Sequence, residues 1–376
     1  MPVVHQAERA ATTVAVTGYN GPMKVYTGTD AAIDPGAVAG FARRAEAAGY
    51  DGLHVSETVH DPFLLALLAL QATERIVVRT SVALAFVRSP LLTAYTAWDL
   101  SKLSRGRFHL GLGSQIRQNI EDRYAMPWSA PAARMRDYVG VVRAAFDTFR
   151  TGELHAYRGD QYRFTRMQPY FNPGPDTETP VPPIYLGAVG PRMCGVAGET
   201  ADGLVTHPTN SDARYLTDEC LPALAPGASA AGRSLDGFDI VAGLQVITGA
   251  TDADVAAERE RRRRLFAFLY STPAYRDALC RNGFPDLQPE LAELVRRDAW
   301  DRLGSVVTDE VLGAIVPTAR YDTLAEVIRG RLAPVASSGM SVGVTLALPD
   351  NPDHDHLMAD VVAQLQGRVA SPADGG

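Results

Sequence analysis

Ile76-Val77-Val78-Arg79-Thr80-Ser81-Val82-Ala83-Leu84 is followed by Ser89-Pro90, a helical pattern through Tyr95 and Leu100, and then Arg107-Phe108-His109-Leu110-Gly111-Leu112. That is one strand–helix–strand unit. Its strands are apolar on nearly consecutive positions rather than alternating. Such runs belong to strands covered by helices outside and by packed side chains inside. Ser89-Pro90 is a helix start, because proline fits the first helical turn, where its missing N–H is not needed.

The same unit recurs on both sides. Further apolar runs are Lys24–Tyr26, Gly52–Val55, Pro183–Leu186, Gly203–Thr206, Phe238–Ile247 and Ser341–Ala347, which brings the total to eight. Asp34-Pro35, Asp61-Pro62, Ala130-Pro131, Gly190-Pro191 and Thr251-Asp252 open helices between them. This alternation predicts an α/β fold with a parallel sheet. Eight strands close a (β/α)8 TIM barrel, although the count alone also admits an open sheet.

Two stretches exceed an ordinary loop. Gly152–Pro182, after the fourth strand and its helix, holds an expected hairpin of His155–Tyr157 with Tyr162–Phe164. Ser271–Pro317 follows the seventh strand and carries short helices. Both insertions are expected to cover the mouth of the barrel. The arginine run Arg259 and Arg261–Arg264 reads as a solvated helix face. Residues 1–22 are expected to be a poorly ordered extension, 23–370 a single domain, and 371–376 a flexible tail.

Composition narrows the function. A chain of 376 residues with 46% hydrophobic and 21% charged residues can build a large core. A net charge of −7 argues against a nucleic-acid partner, which needs a basic face. No apolar run reaches the ~18 residues of a membrane span. The N-terminus lacks the basic-then-apolar order of a signal peptide. Cys194, Cys220 and Cys280 show neither pairing nor zinc spacing, so a reducing cytoplasm is expected. His354 and His356 stand two apart and suggest no metal site.

In a barrel, the C-terminal ends of the strands and the loops after them build the site. After the first strand, Thr27 and Gly28 are small and polar. After the second, Glu57 ends an apolar run, and Thr58 and His60 follow. A buried carboxylate needs a partner or a role, and a histidine can switch charge near neutral pH. In the third, Thr80-Ser81 interrupts the apolar pattern before Val82 and Ala83, where a bulge could present backbone to a ring. The fourth ends in Gly111, Gly113 and Ser114, which allow close backbone approach. The fifth ends in Gly187-Ala188-Val189-Gly190-Pro191 before a helix, an arrangement suited to a phosphate group. His207 follows the sixth strand, either lining the mouth or as a plain loop residue.

From about Met23 to Leu348 the chain resembles the bacterial luciferase-like superfamily of flavin-dependent monooxygenases and deazaflavin-dependent oxidoreductases. It looks closest to an actinobacterial group of F420-dependent oxidoreductases. The resemblance is carried by Glu57–Phe63, Phe86–Pro90, Ala94–Leu100, Ser104–Phe108, Leu110–Gly113, Met126–Trp128, Phe171–Pro175, Ala188–Met193 and Ser271–Tyr275. It implies a (β/α)8 barrel that binds coenzyme F420, with FMN as the alternative. It implies a non-prolyl cis peptide at Ser81–Val82 behind the ring and an acid, Glu57, beside it. Gly111, Gly113 and Ser114 would wall the cleft, and Ala188 to Pro191 would grip the cofactor phosphate. Thr58 stands where some relatives place a catalytic histidine, so His60, Glu57 or Thr58 is left as the proton donor. Ile116 stands near the position where some sugar-oxidising relatives place a glutamate, which argues against sugar-phosphate oxidation.

The expected activity is hydride transfer between F420 and a small or peptide-borne organic substrate. The favoured form is reduction of an activated C=C or C=N bond, for example in a dehydroamino acid. The alternatives are an FMN-dependent monooxygenase served by a separate reductase, and an inactive cofactor-binding accessory protein. A homodimer is implied by the family's habit.

Overall fold

The computed structural model describes residues 21–336 and 338–368. The expected N-terminal extension, but for Gly21 and Pro22, and the expected C-terminal tail lie outside these residues.

Strand β1 (Lys24–Gly28) leads through a short 3-10 turn to α1 (Val38–Ala47), then to β2 (Gly52–Val55) and α2 (Pro62–Ala72). The third stave is in two pieces, β3 (Val77–Thr80) and β4 (Ala83–Leu84), followed by α3 (Pro90–Ser104) and β5 (Phe108–Gly113). Helix α4 (Pro131–Thr151) precedes a hairpin, β6 (Tyr157–Arg158) with β7 (Arg163–Phe164). Next come β8 (Ile184–Gly187), α5 (Pro191–Thr200), β9 (Gly203–Val205), α6 (Leu221–Ala230) and β10 (Asp239–Ala242). Helices α7 (Asp252–Tyr270), α8 (Arg276–Arg281), α9 (Leu287–Arg296), α10 (Leu303–Val306) and α11 (Asp309–Ile315) form the second insertion. The chain closes with α12 (Tyr321–Ala336), β11 (Ser341–Thr345) and α13 (Asp355–Leu365).

The staves pair in parallel in the order β3-β2-β1-β11-β10-β9-β8-β5, and β3 pairs with β5 to complete a closed eight-stave barrel. Outward residues such as Val25, Leu53, Val78, Leu110 and Ile240 are fully buried against the helices. The predicted helix starts hold. Asp61 accepts from the N–H groups of Phe63 and Leu64, and Thr251 forms a capping box with Asp254.

Two expectations change. The hairpin does not cover the mouth. Tyr157 packs on Gly140 and donates to Asp137, while Tyr95 and Ser101 on α3 donate to the carbonyls of Phe171 and Pro180. The segment therefore lies on the outer flank of α3 and α4, because it starts from the C-terminal end of α4 and must return along those helices to enter β8. The arginine run is not wholly solvated either. Arg262 pairs with Glu258 and Gln245, and Arg263 with Glu260, Asp309 and the Val307 carbonyl. These contacts tie α7 to the loop after β10 and to α11. The second insertion has a core of its own, built on Phe266, Leu279, Leu291 and Leu312. Among the described residues no helix is long and apolar enough to cross a membrane.

Candidate active site

The mouth is organised by the break in the third stave. The Ser81–Val82 peptide is cis, as the resemblance implied. Thr80 carries the pairing across the break. Its hydroxyl donates to the Gly111 carbonyl at 2.7 Å and accepts from the Gly111 N–H at 2.9 Å. The Ser81 N–H reaches the Val55 carbonyl at 2.7 Å.

The glycines of β5 serve this break. A Cβ on Gly111 would lie 1.8 Å from the Thr80 carbonyl oxygen, and one on Gly113 would lie 2.4 Å from Val82 Cγ2. A Cβ on Gly187 would lie 3.1 Å from Val82 Cγ1. Both Val82 methyls thus sit between the ends of β5 and β8. They make a flat apolar floor that no side chain on those strands could share. The sequence reading had the glycines touching a cofactor directly; in the structure Gly111 and Gly113 first make room for the neighbouring stave.

Glu57 stands at the end of β2 with both carboxylate oxygens engaged. Oε2 accepts from the Leu84 N–H and Arg88 Nη1, each at 2.6 Å, and Oε1 accepts from Arg88 Nη2 at 2.9 Å. The pair is largely shielded, with side-chain exposures of 9% and 19%. A carboxylate held by three such bonds fixes the chain beyond the break. Thr58 is also committed. Its hydroxyl donates to the Ala31 carbonyl, and its own carbonyl accepts from Arg123 at 2.8 Å. His60 makes no side-chain hydrogen bond among the described residues and is half-buried.

Two expected ligand contacts face the wrong way. Thr27 is fully buried on the outward face of β1, where its hydroxyl accepts from the Leu348 N–H. Ala83 is likewise fully buried. Side chains alternate along a strand, so Gly28, not Thr27, faces the barrel axis. Ser114 is half-buried at the end of β5.

Three residues beyond the end of β8, Gly190 is the N-cap of α5, and no side chain caps that helix. Val189, Gly190 and Pro191 are exposed, Ala188 is buried, and the Val189 carbonyl accepts from the Tyr215 hydroxyl at 2.7 Å. An uncapped N-terminus presents N–H groups to an anion. His207 stacks on Tyr275 with ring centroids 5.5 Å apart. Its Nδ1 lies 2.7 Å from the Thr209 hydroxyl and 3.3 Å from the Thr209 N–H. Partial burial lowers its pKa below the ordinary histidine value. A cavity of about 390 Å³ lies to one side, between Thr209, Leu244, Gln245, Phe266, Tyr270 and Arg331, and none of the expected site residues lines it.

Below the mouth the barrel is filled by polar and ring side chains that the sequence reading passed over. Arg79 is fully buried, with its guanidinium 4.5 Å from the Tyr26 ring centroid and 3.9 Å from that of Tyr185. Nη2 meets His54 Nε2 at 2.9 Å. His54 stacks on Tyr26 and His109 on Tyr185. Gly52 and Gly343 leave space for the Tyr26 ring and Gly203 for that of Tyr185. The legible signal was a charge and two histidines inside otherwise apolar strands. Arg88 was missed as the partner of Glu57 for want of any local cue.

The sequence profile of the luciferase-like monooxygenase family matches residues 13–337. A Mycobacterium tuberculosis protein of uncharacterised function is 42% identical over 297 residues, covering 77% of this chain and 87% of its own. A 5,10-methylenetetrahydromethanopterin reductase from Archaeoglobus fulgidus is 26% identical over 319 residues, covering 83% of this chain and 90% of the reductase. The structure of the coenzyme F420-dependent tetrahydromethanopterin reductase from Methanopyrus kandleri superposes with a TM-score of 0.75 over 92% of this chain and 100% of the other, at 20% identity. The chain belongs to the luciferase-like monooxygenase family.

Proposed function

We propose that the protein is a coenzyme F420-dependent oxidoreductase that reduces an activated C=C or C=N bond of a small or peptide-borne substrate. The observation that carries this reading is the Val82 floor between Gly113 and Gly187, three residues before the uncapped start of α5. An apolar surface beside an anion-receptive helix end suits a ring joined to a phosphate. Ser81, Val82 and Ser114 would lie against the ring, and Gly187 to Pro191 would hold the phosphate. When bound, the deazaflavin supplies the hydride. The name of the Methanopyrus relative, a coenzyme F420-dependent reductase, supports this choice of cofactor.

Glu57, Thr58 and His60 divide the remaining work. Glu57 positions the floor through Leu84 and Arg88, and Thr58 ties the loops after β1, β2 and β5. His60, with no hydrogen-bonding partner, is the proton donor. His60→Gln is expected to slow turnover by about 10²-fold with cofactor affinity unchanged. A loss of affinity would move His60 from the chemistry to the binding of the ring. We further propose a cytoplasmic homodimer that docks through helices on one flank and takes no nucleic-acid partner.

The test is a titration of the purified protein with F420 and FMN side by side, followed by mixing the reduced deazaflavin with candidate alkenes and imines. Recovery of the oxidised chromophore supports the reading. Tight FMN retention without deazaflavin affinity would replace it with a monooxygenase. Turnover of alcohols alone would reverse the direction of hydride flow. Binding with no turnover would leave an accessory protein.

A further inference from the structure

We propose that Arg79 sets the charge state of the ring held in the mouth, lowering the pKa of an acidic group on that ring and keeping it as the anion. This rests on the deazaflavin reading above and adds a positioning residue to it.

Arg79 and Ser81 lie on the same face of one stave, two residues apart. Their Cα atoms are therefore about 7 Å apart along the strand, with Ser81 at the floor and Arg79 directly below. The guanidinium is sealed from water and stacked between Tyr26 and Tyr185. Its Nη1 has no hydrogen-bond partner.

The charges facing Arg79 can be accounted for stave by stave. On β1 and β10, Lys24 and Asp239 pair at 2.7 Å, and Asp239 also accepts from the Tyr185 hydroxyl of β8 at 2.7 Å. On β2, His54 lends its Nε2 to Arg79. On β5, His109 leaves Nδ1 unpaired in the same interior. On β11, Thr345 is neutral and lies near His54. Above, Arg88 is shared between Glu57 and Asp61, the latter half open to solvent. Burial, and after it the Arg79 charge, keeps both histidines neutral: His54 well below its ordinary pKa and His109 down to about 3. The sum is one guanidinium without a counter-ion. A buried charge without compensation is costly. The open side of this layer is the mouth.

A ligand ring with a delocalised acidic hydroxyl offers the missing negative charge. The 8-hydroxyl of a deazaflavin is conjugated through the whole ring, so its anion spreads toward any cation beneath it. At an effective dielectric near 20 and a separation of roughly 8 Å, one positive charge lowers such a pKa by one to two units.

The experiment follows the absorption of bound oxidised F420 across pH. It compares the wild type with free cofactor, then with Arg79→Met and Arg79→Lys. The expected result is a bound ring that stays anionic one to two pH units below the free ring. That shift should vanish in Arg79→Met and largely return in Arg79→Lys. Coincident curves for the free ring and the wild-type complex would overturn the proposal whether or not the variants fold. Equal shifts in Arg79→Met and wild type would also overturn it. Failure of the wild type to bind F420 would instead overturn the cofactor reading, and this inference with it.

Discussion

At the mouth, the third and fourth staves meet through a carbonyl and an isopropyl group set against glycines. One layer below, the same two staves present a guanidinium and an imidazole. The upper layer is shaped by what has been removed: Gly111 and Gly113 carry no side chain, so Thr80 and Val82 can occupy the space. The lower layer is shaped by what has been packed in, Arg79, His54 and His109 between two tyrosines. A flat floor for a ligand needs the first plan. A fixed electric field beneath that floor needs the second.

The sharpest way to break the upper plan is Gly111→Ala. The new methyl would fall 1.8 Å from the Thr80 carbonyl oxygen, and backbone cannot rotate away as a side chain can. The expected cost is about 3 kcal/mol or more, with loss of the Thr80–Gly111 hydrogen bonds. A thermal or denaturant melt measures it. An unchanged melting temperature would mean that the third stave can shift freely, and the floor would then not be preformed.

The next largest effect is expected at the link between β2 and the chain beyond the break. Glu57→Gln removes the charge facing Arg88, and Arg88→Met leaves the carboxylate facing only the Leu84 N–H. Arg88→Met should cost about 3 kcal/mol, since the shielded carboxylate is left alone, and Glu57→Gln less, since Arg88 keeps Asp61 at 3.3 Å. The double variant should cost less than the sum of the two, and a double-mutant cycle reads that difference. Additive costs would show that the pair is not coupled. Glu57 would then be free for proton chemistry.

The lower layer is tested by acid. The His109 pKa is pushed down to about 3 in the folded chain, by burial first and Arg79 second, while the unfolded value is about 6.5. Between these values the unfolded chain binds more protons, so stability rises with pH. The histidine contribution is fully present above about pH 6.5 and is lost progressively as pH falls toward 3. At pH 5 the loss from His109 alone is about 2 kcal/mol. His109→Phe should flatten the stability profile over that window. A profile that stays as steep would place the acid sensitivity elsewhere.

These two layers were not equally legible in the sequence. Staves, helix starts and the break at Ser81–Val82 could be read because each is a local matter: apolar runs, Pro after a capping residue, and a motif shared with the family. The Glu57–Arg88 pair joins residues separated by 31 positions, and nothing near either one names the other. Arg79 stood in plain view inside an apolar strand, but whether it faced axis or helices depended on register. Thr27 was misread for the same reason, since one step along a strand exchanges the two faces. The hairpin after α4 was recognised but misplaced, because its sequence gives its pairing and not the surface it lies on.

The smallest expected effect sharpens the comparison by standing outside it. Thr251 caps α7, accepting from the Asp254 N–H at 3.2 Å, while the Asp254 carboxylate accepts from the Thr251 N–H at 3.0 Å. Thr251→Ala should cost about 1 kcal/mol. Helix α7 contributes Phe266, Ala267 and Tyr270 to the core of the second insertion, a cluster separate from the one around the barrel. If that insertion opens on its own, the loss should appear in hydrogen exchange of α7 to α11 and leave the amides of β3 and β5 as protected as before. The arginines of α7 argue the other way through Arg262, whose contact with Gln245 joins the helix to the loop after β10, while Arg263 binds within the insertion. Equal loss of protection in the insertion and the barrel would show that the Arg262 contact makes the two cores one cooperative unit. The mouth layer would then depend on a helix cap far from any residue that lines it.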